Sequence, residues 1–147
     1  MQIIRVSTYD QLQQCLQIRW EVFVDEQNVP EHLEIDEWDE GHLACRHVLL
    51  CEEQGLCTAT ARMRNYSQDT GKIQRVAVRK IARQKGHGRL VLNTLEEWAR
   101  ELGLQYIILD SQCHAENFYL KLGYVTISSE PFDDAGIPHV RMRKKLA

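Results

Sequence analysis

No stretch of this 147-residue chain approaches the roughly 18 apolar residues of a membrane span. Its first residues, charged at Arg5 and Asp10, also lack the apolar core of a signal peptide. Both absences predict a cytoplasmic protein with no membrane partner. Internal repeats, low-complexity tracts and Pro/Gly/Ser linkers are missing too, which leaves no place for a boundary and predicts one domain over residues 1–147. A basic excess is lacking: the formal net charge is -3, whereas a protein that holds nucleic acid needs a basic surface to neutralise phosphates. The five cysteines, Cys15, Cys45, Cys51, Cys57 and Cys113, contain no CxxC pair and no zinc-type spacing. They predict free thiols that fill small apolar spaces in a reducing cytosol.

A metal site is not expected either. The acidic run Glu34 to Asp39 lacks the Asp-x-Asp-x-Asp-Gly order of a calcium loop, and His42 has no partner histidine four residues on.

What is present is an ordinary globular composition, 44% apolar and 27% charged, on a chain long enough to bury about two-thirds of its unfolded surface. Ile3 to Val6 reads as a strand. Ser7-Thr8-Tyr9-Asp10 has the Ser-x-x-Asp form of a helix start, and Leu12, Cys15, Leu16, Arg19 and Phe23 follow at helical spacing. Residues 25 to 42, acidic and punctuated by Pro30 and Gly41, predict a loop or a short broken helix. His47 to Cys51 and Leu56 to Arg64 predict a hairpin around Glu53-Gln54-Gly55, and Lys72 to Val78 a further strand. Leu90, Val91, Leu95, Trp98, Ala99 and Leu102 mark an amphipathic helix that Gly103 stops. A strand at Gln105 to Asp110, a short helix at Ala115 to Leu122, and strands at Tyr124 to Ser128 and His139 to Arg143 complete the chain. The last two are separated by a turn region containing Pro131, Gly136 and Pro138.

The segment richest in chemistry is the strand Ile73 to Val78, the loop Arg83-Gln84-Lys85-Gly86-His87-Gly88 and the helix behind it. Glycine lets backbone approach a ligand closely, and free N–H groups at a helix start attract phosphate oxygens. Arg83, Lys85 and Arg89 add positive charge. Val91 stands where a dinucleotide fingerprint needs a small residue, and the Gly-Lys-Ser/Thr of a Walker loop is absent. The cradle therefore suits a pyrophosphate outside those two folds.

Arg83, Gly86 and Gly88 fit the pattern Arg/Gln-x-x-Gly-x-Gly/Ala after a strand, and in this the chain resembles the GNAT superfamily of N-acetyltransferases. A second family element, a short helix bearing Tyr before Gly-Phe/Tyr, is matched by Asn117-Phe118-Tyr119-Leu120-Lys121-Leu122-Gly123-Tyr124. Arg19 to Pro30 and Gly136-Ile137-Pro138-His139 extend the likeness to the ElaA-like subgroup.

The resemblance implies a mixed α/β fold: a twisted, mostly antiparallel sheet with a central splayed parallel pair, flanked by helices. It implies acetyl-CoA as donor substrate, no metal, and direct attack by an amine, small or protein-borne, on the thioester. Backbone at Val76, Ala77 and Val78 would hold the acetyl and pantetheine amides. Arg83, Gln84, Lys85, Gly86, His87, Gly88 and Arg89 would hold the pyrophosphate, with Gln112 and Asn117 as further donor contacts. Many relatives carry Asn where Ser111-Gln112 stand, and a glutamine offers the same amide with longer reach. Tyr119 would protonate the departing thiolate.

An acceptor pocket is implied around Arg19, Phe23, Glu26, Asp36 and Arg62, with Glu26 as base and Asp36, Asp39, His47 and His114 as other candidates. Glu26, Asp36 and Asp39 together would form an acidic wall favouring a cationic acceptor. Two alternatives remain. One is a CoA-binding sensor or interaction module without turnover. The other, on Arg19, Phe23, Glu34, Asp36, Asp39 and Arg62, is an acyltransferase similar to the acyl-homoserine-lactone synthases. Exposed strand edges would permit a homodimer.

Overall fold

A computed structural model describes residues 1–41 and 43–146. His42, weighed above as a metal ligand, lies outside the described residues. After strand β1 (Gln2–Arg5), helix α1 (Tyr9–Arg19) starts one residue later than the Ser-x-x-Asp pattern implies. Thr8 is the N-cap: its Oγ1 accepts from the Gln11 N–H at 3.2 Å, while Gln11 Oε1 accepts from the N–H groups of Ser7 and Thr8. The 3.6-residue stripe then stops at Arg19, because Trp20–Glu26 winds as a wider π-helix. The wider turn buries Val22 in the core and leaves Phe23 partly buried, a break of the kind that recurs at functional sites. The acidic stretch that follows holds the short helix α2 (Glu31–Glu34) and a 3-10 turn at Glu37–Asp39.

Strands β2 (Arg46–Cys51) and β3 (Cys57–Ser67) form the expected hairpin. It brings Cys51 opposite Cys57 at a register shift, and the two are joined in a disulfide. This corrects the expectation of five free thiols, since sequence spacing alone does not show that a tight turn stacks these two side chains. Cys15, Cys45 and Cys113 are free.

The rest of the chain supplies β4 (Thr70–Val78), α3 (His87–Glu101), β5 (Tyr106–Gln112), α4 (Glu116–Lys121), β6 (Val125–Thr126), β7 (Phe132–Asp134) and β8 (Ile137–Lys145). Strand β7 falls where the sequence predicts only turn. Ala135 (φ 52°) and Gly136 (φ 80°) both take left-handed backbone, the signature of a two-residue hairpin turn, so Asp134 pairs with Ile137.

One sheet results, in the order β1-β2-β3-β4-β5-β8-β6, with β7 also on β8. All neighbours are antiparallel except β4 and β5, whose parallel pairing requires a crossover that α3 provides. This is the mixed, mostly antiparallel architecture expected. Alternate residues of β2 serve both faces: Val48 and Leu50 pack with Val91, Leu92 and Leu95 of α3, while Leu49 packs with Leu12, Cys15 and Ile18 of α1.

The feature that positions the site is an irregularity in β4. Gln74 pairs with Arg62 and Ala77 with Thr60, so β4 carries one residue more than β3 over this interval, and Arg75 there takes φ 57°. On the other side, β4 and β5 pair only from Thr70↔Tyr106 to Ile73↔Leu109. Beyond that point they separate.

Candidate active site between the splayed strands

A cavity of about 690 Å³ occupies the gap, lined by Gln74, Arg75, Val76 and Val78 of β4 and by Leu109, Asp110 and Gln112 of β5. One end is the loop before α3. Gln84 (φ 64°) and Gly86 (φ 82°) turn the chain so that α3 begins at His87, and no side chain caps it. Its first intrahelical bond runs from Leu90 N to Gly86 O at 3.1 Å, leaving the N–H groups of His87, Gly88 and Arg89 without intrahelical partners at the cavity edge. The His87 ring points away into the interior, with Nδ1 2.8 Å from Thr58 Oγ1, so its contribution at this edge is backbone. Gly88 is small for packing: a Cβ there would lie 3.3 Å from the Phe118 ring and 3.5 Å from Val78 Cγ2.

Tyr119 lines the middle of the cavity, wedged edge-to-face between Phe118 and Tyr124 at 5.0 and 5.9 Å. Burial pushes its phenol above the ordinary value, so it is protonated at neutral pH. Among the described residues its hydroxyl has no hydrogen-bond partner.

The cavity is also walled by Phe23, Gln27, Leu33, Glu34, Lys72 and His139. Gln27 and Gln112 exchange amide hydrogen bonds at 2.8 and 3.2 Å, tying the segment after the π-helix to the end of β5. Asp110 accepts from Arg141 Nε at 2.9 Å and pairs with Lys72 at 3.2 Å; burial opposes its ionisation, but these two cations hold its carboxyl below the usual range.

Behind this wall lies a buried ion cluster. Arg19 donates to Asp39 (2.7 and 2.8 Å) and Glu34 (2.9 Å), and Arg62 to Asp36 (2.7 and 2.8 Å) and Asp39 (2.9 Å). Arg75 pairs with Glu34 at 2.9 Å. Burial works against Asp39, yet Arg19 and Arg62 keep it far below an ordinary carboxyl. Glu34 is pushed up, since burial outweighs the pull of Arg19 and Arg75. His47, sealed beside the cluster with neither ring nitrogen well partnered, is pushed down to about 4 by burial and then by Arg19.

A family profile described as the acetyltransferase (GNAT) domain matches residues 7–146. The chain belongs to the GNAT acetyltransferases. YyaT of Bacillus subtilis (strain 168) is 40% identical over 148 residues, covering 100% of this chain and 97% of YyaT. Among solved structures, Escherichia coli ElaA superposes with a TM-score of 0.83 at 29% identity, covering 98% of this chain and 99% of ElaA, in line with the subgroup resemblance. An acyl-CoA N-acyltransferase from Pseudomonas aeruginosa gives 0.83 at 27% identity, covering 97% and 98%. The protein is thus an N-acetyltransferase of the GNAT fold.

Of the residues expected at a GNAT donor site, Val76, Val78, Arg83, Gln84, Gly86, His87, Gly88, Arg89, Gln112 and Tyr119 all line the cavity. Ala77, Lys85 and Asn117 do not; Ala77 alternates to the other face of the sheet and packs under α1. On the acceptor side only Phe23 lines the cavity. Arg19, Asp36 and Arg62 do not line it and are engaged in ion pairs with Glu34, Asp39 and one another. Glu26 lies outside the lining and accepts from Arg83 Nη2 at 2.8 Å. With Glu26, Asp36 and Asp39 each paired to an arginine, the acidic wall is replaced by a charge-balanced cluster. Of the other base candidates, Asp39 and His47 are buried off the cavity, and His114 lines it with Nε2 bonded to Gln112 Oε1. Gln27, Leu33, Lys72, Arg75 and His139 went unassigned in the sequence; Arg75 and His139 are set at the cavity by a bulge and a two-residue hairpin that only strand pairing reveals.

Proposed function

We propose that this enzyme transfers the acetyl group of acetyl-CoA to an amine by direct attack of the nitrogen on the thioester. The observation that carries the reading is one continuous cavity. Its lining takes in the uncapped start of α3, the gap between β4 and β5, and the side chains of Glu34, Lys72 and His139.

The two ends suit the two substrates. Free N–H groups at His87, Gly88 and Arg89, together with the side chains of Arg83 and Arg89, favour a pyrophosphate. Past Ile73 and Leu109 the strand edges have no neighbour to bond with, and offer backbone donors and acceptors to the amides of a pantetheine arm. Tyr119, kept protonated by its burial, donates to the thiolate as the C–S bond breaks. The acceptor, small or protein-borne, enters the part of the cavity lined by Glu34, Lys72 and His139. Its walls hold paired charges, so the pocket selects by shape and hydrogen bonding more than by an uncompensated field.

Calorimetric titration with acetyl-CoA, followed by thiol release against a panel of amines, tests this. Saturable binding and amine-dependent release are expected. Binding without release for any amine would favour a sensor module, and no binding at all would overturn the donor site.

A further inference from the structure

We propose that His139 is the general base of the acetyl transfer, accepting the proton of the attacking amine on Nε2; this rests on the acetyl-transfer reading above. The sequence Gly136-Ile137-Pro138-His139 turns a hairpin whose register sets His139 opposite Gln112 on β5 and Phe132 on β7. Its ring stacks on Phe132 at 6.1 Å and 26°, which fixes its plane. Nδ1 lies 2.7 Å from the carbonyl oxygen of Ile137. A carbonyl can only accept, so Nδ1 carries the hydrogen, and the neutral ring must present its lone pair on Nε2. The side chain lines the acceptor end of the cavity, and among the described residues Nε2 has no protein partner and is not sealed in the interior.

The competing bases at that end are committed elsewhere. Glu34 is held by Arg19 and Arg75, and Asp110 by Lys72 and Arg141. His114 donates its Nε2 hydrogen to Gln112 Oε1, so its lone pair is on Nδ1, and His114→Gln is the control expected to leave thiol release within about threefold of the parent. Asp134, on the rim, is exposed, and a hydrated carboxylate is a weak proton acceptor for an amine. The charged or titratable groups within two positions of His139's strand partner Gln112 are Asp110, which pairs with Arg141, then Cys113 and His114 after β5; those on β7, beside its other partner Phe132, are Asp133 and Asp134.

In the step itself, the amine nitrogen bonds to the thioester carbon and the C–S bond breaks with its electron pair passing to sulfur. The surplus proton on nitrogen goes to His139 Nε2, and sulfur takes a proton from Tyr119. His139 then releases its proton to solvent and Tyr119 recovers one from it, leaving the N-acetyl amine and the free thiol.

The test compares the parent with His139→Gln and His139→Ala, using acetyl-CoA with methylamine or water as acceptor. Thiol release is expected to fall about 10²–10⁴-fold in both variants. Acetyl-CoA affinity, read by calorimetry, should be unchanged, and added imidazole should restore part of the rate of His139→Ala. Release within about threefold of the parent, a matching loss of donor affinity, or no rescue by imidazole would overturn the assignment. If the parent itself neither binds acetyl-CoA nor releases thiol, the acetyl-transfer reading falls and the base with it. Binding and turnover by the parent together with full activity in His139→Gln would remove the base alone.

Discussion

Acidification should unfold this protein partly through His47, a histidine far from the cavity. In the unfolded chain its imidazole takes a proton below its ordinary value of 6.5, whereas in the folded protein it does so only near 4. Between those limits the unfolded state binds the extra proton, so stability present above pH 6.5 is lost as the pH falls toward 4. At 1.36 kcal/mol per unit, the full interval corresponds to about 3 kcal/mol. That is a large share of the 5–15 kcal/mol typical of a domain, at roughly the same order. His47→Leu removes the titrating group, and it sacrifices no well-formed hydrogen bond because neither ring nitrogen has one. Urea unfolding followed by tryptophan fluorescence, at pH 7.5, 5.5 and 4.5, would measure it. The variant should gain about 2–3 kcal/mol on the parent between the highest and lowest pH. Glu34 works in the opposite direction, since its raised value makes protonation favour the fold, but it is common to both proteins and cancels in the comparison. Parallel pH profiles for the two proteins would refute the reasoning.

Tyr119→Phe should leave acetyl-CoA affinity intact by calorimetry and lower kcat for thiol release by about 10²-fold, near the lower end for general acids because a thiolate leaves readily. Arg19→Met strips one partner from Glu34 and Asp39 inside the protein, and should cost about 3–5 kcal/mol in urea unfolding, as for other broken buried pairs. Reductant opens the Cys51–Cys57 link, whose six-residue separation is short. It should lower the unfolding free energy by about 2 kcal/mol, and a Cys51→Ala variant should lose the sensitivity to reductant.

The order of elements and the loop and helix segments that line the cavity were legible because they depend on local pattern. The stripe of α3, the glycine loop before it and the Tyr119 helix are each contained within a few turns of chain. The remaining lining was not, because it depends on pairing. An extra residue in β4 is visible only when β3 is laid beside it, and the same holds for Asp39, whose partners Arg19 and Arg62 lie 20 and 23 residues away. A charged residue on an apolar face, as Arg19 is, signals burial with a partner as readily as it signals a pocket. Spacing did not separate the two roles of glycine: Gly86 supplies left-handed backbone, while Gly88 makes room for Phe118.

The bulge at Arg75 gives the fold an odd relation to its own regularity. A chain lacking that one residue would set Val76 opposite Ala61, let β4 run straight, and allow it to keep pairing with β5 past Ile73 and Leu109. Strands β4 and β5 would then have their neighbours and more backbone would be satisfied, so such a deletion could survive a selection for stability while closing the cavity between them. A design that idealises this sheet would close the cavity at a single position while leaving the protein standing.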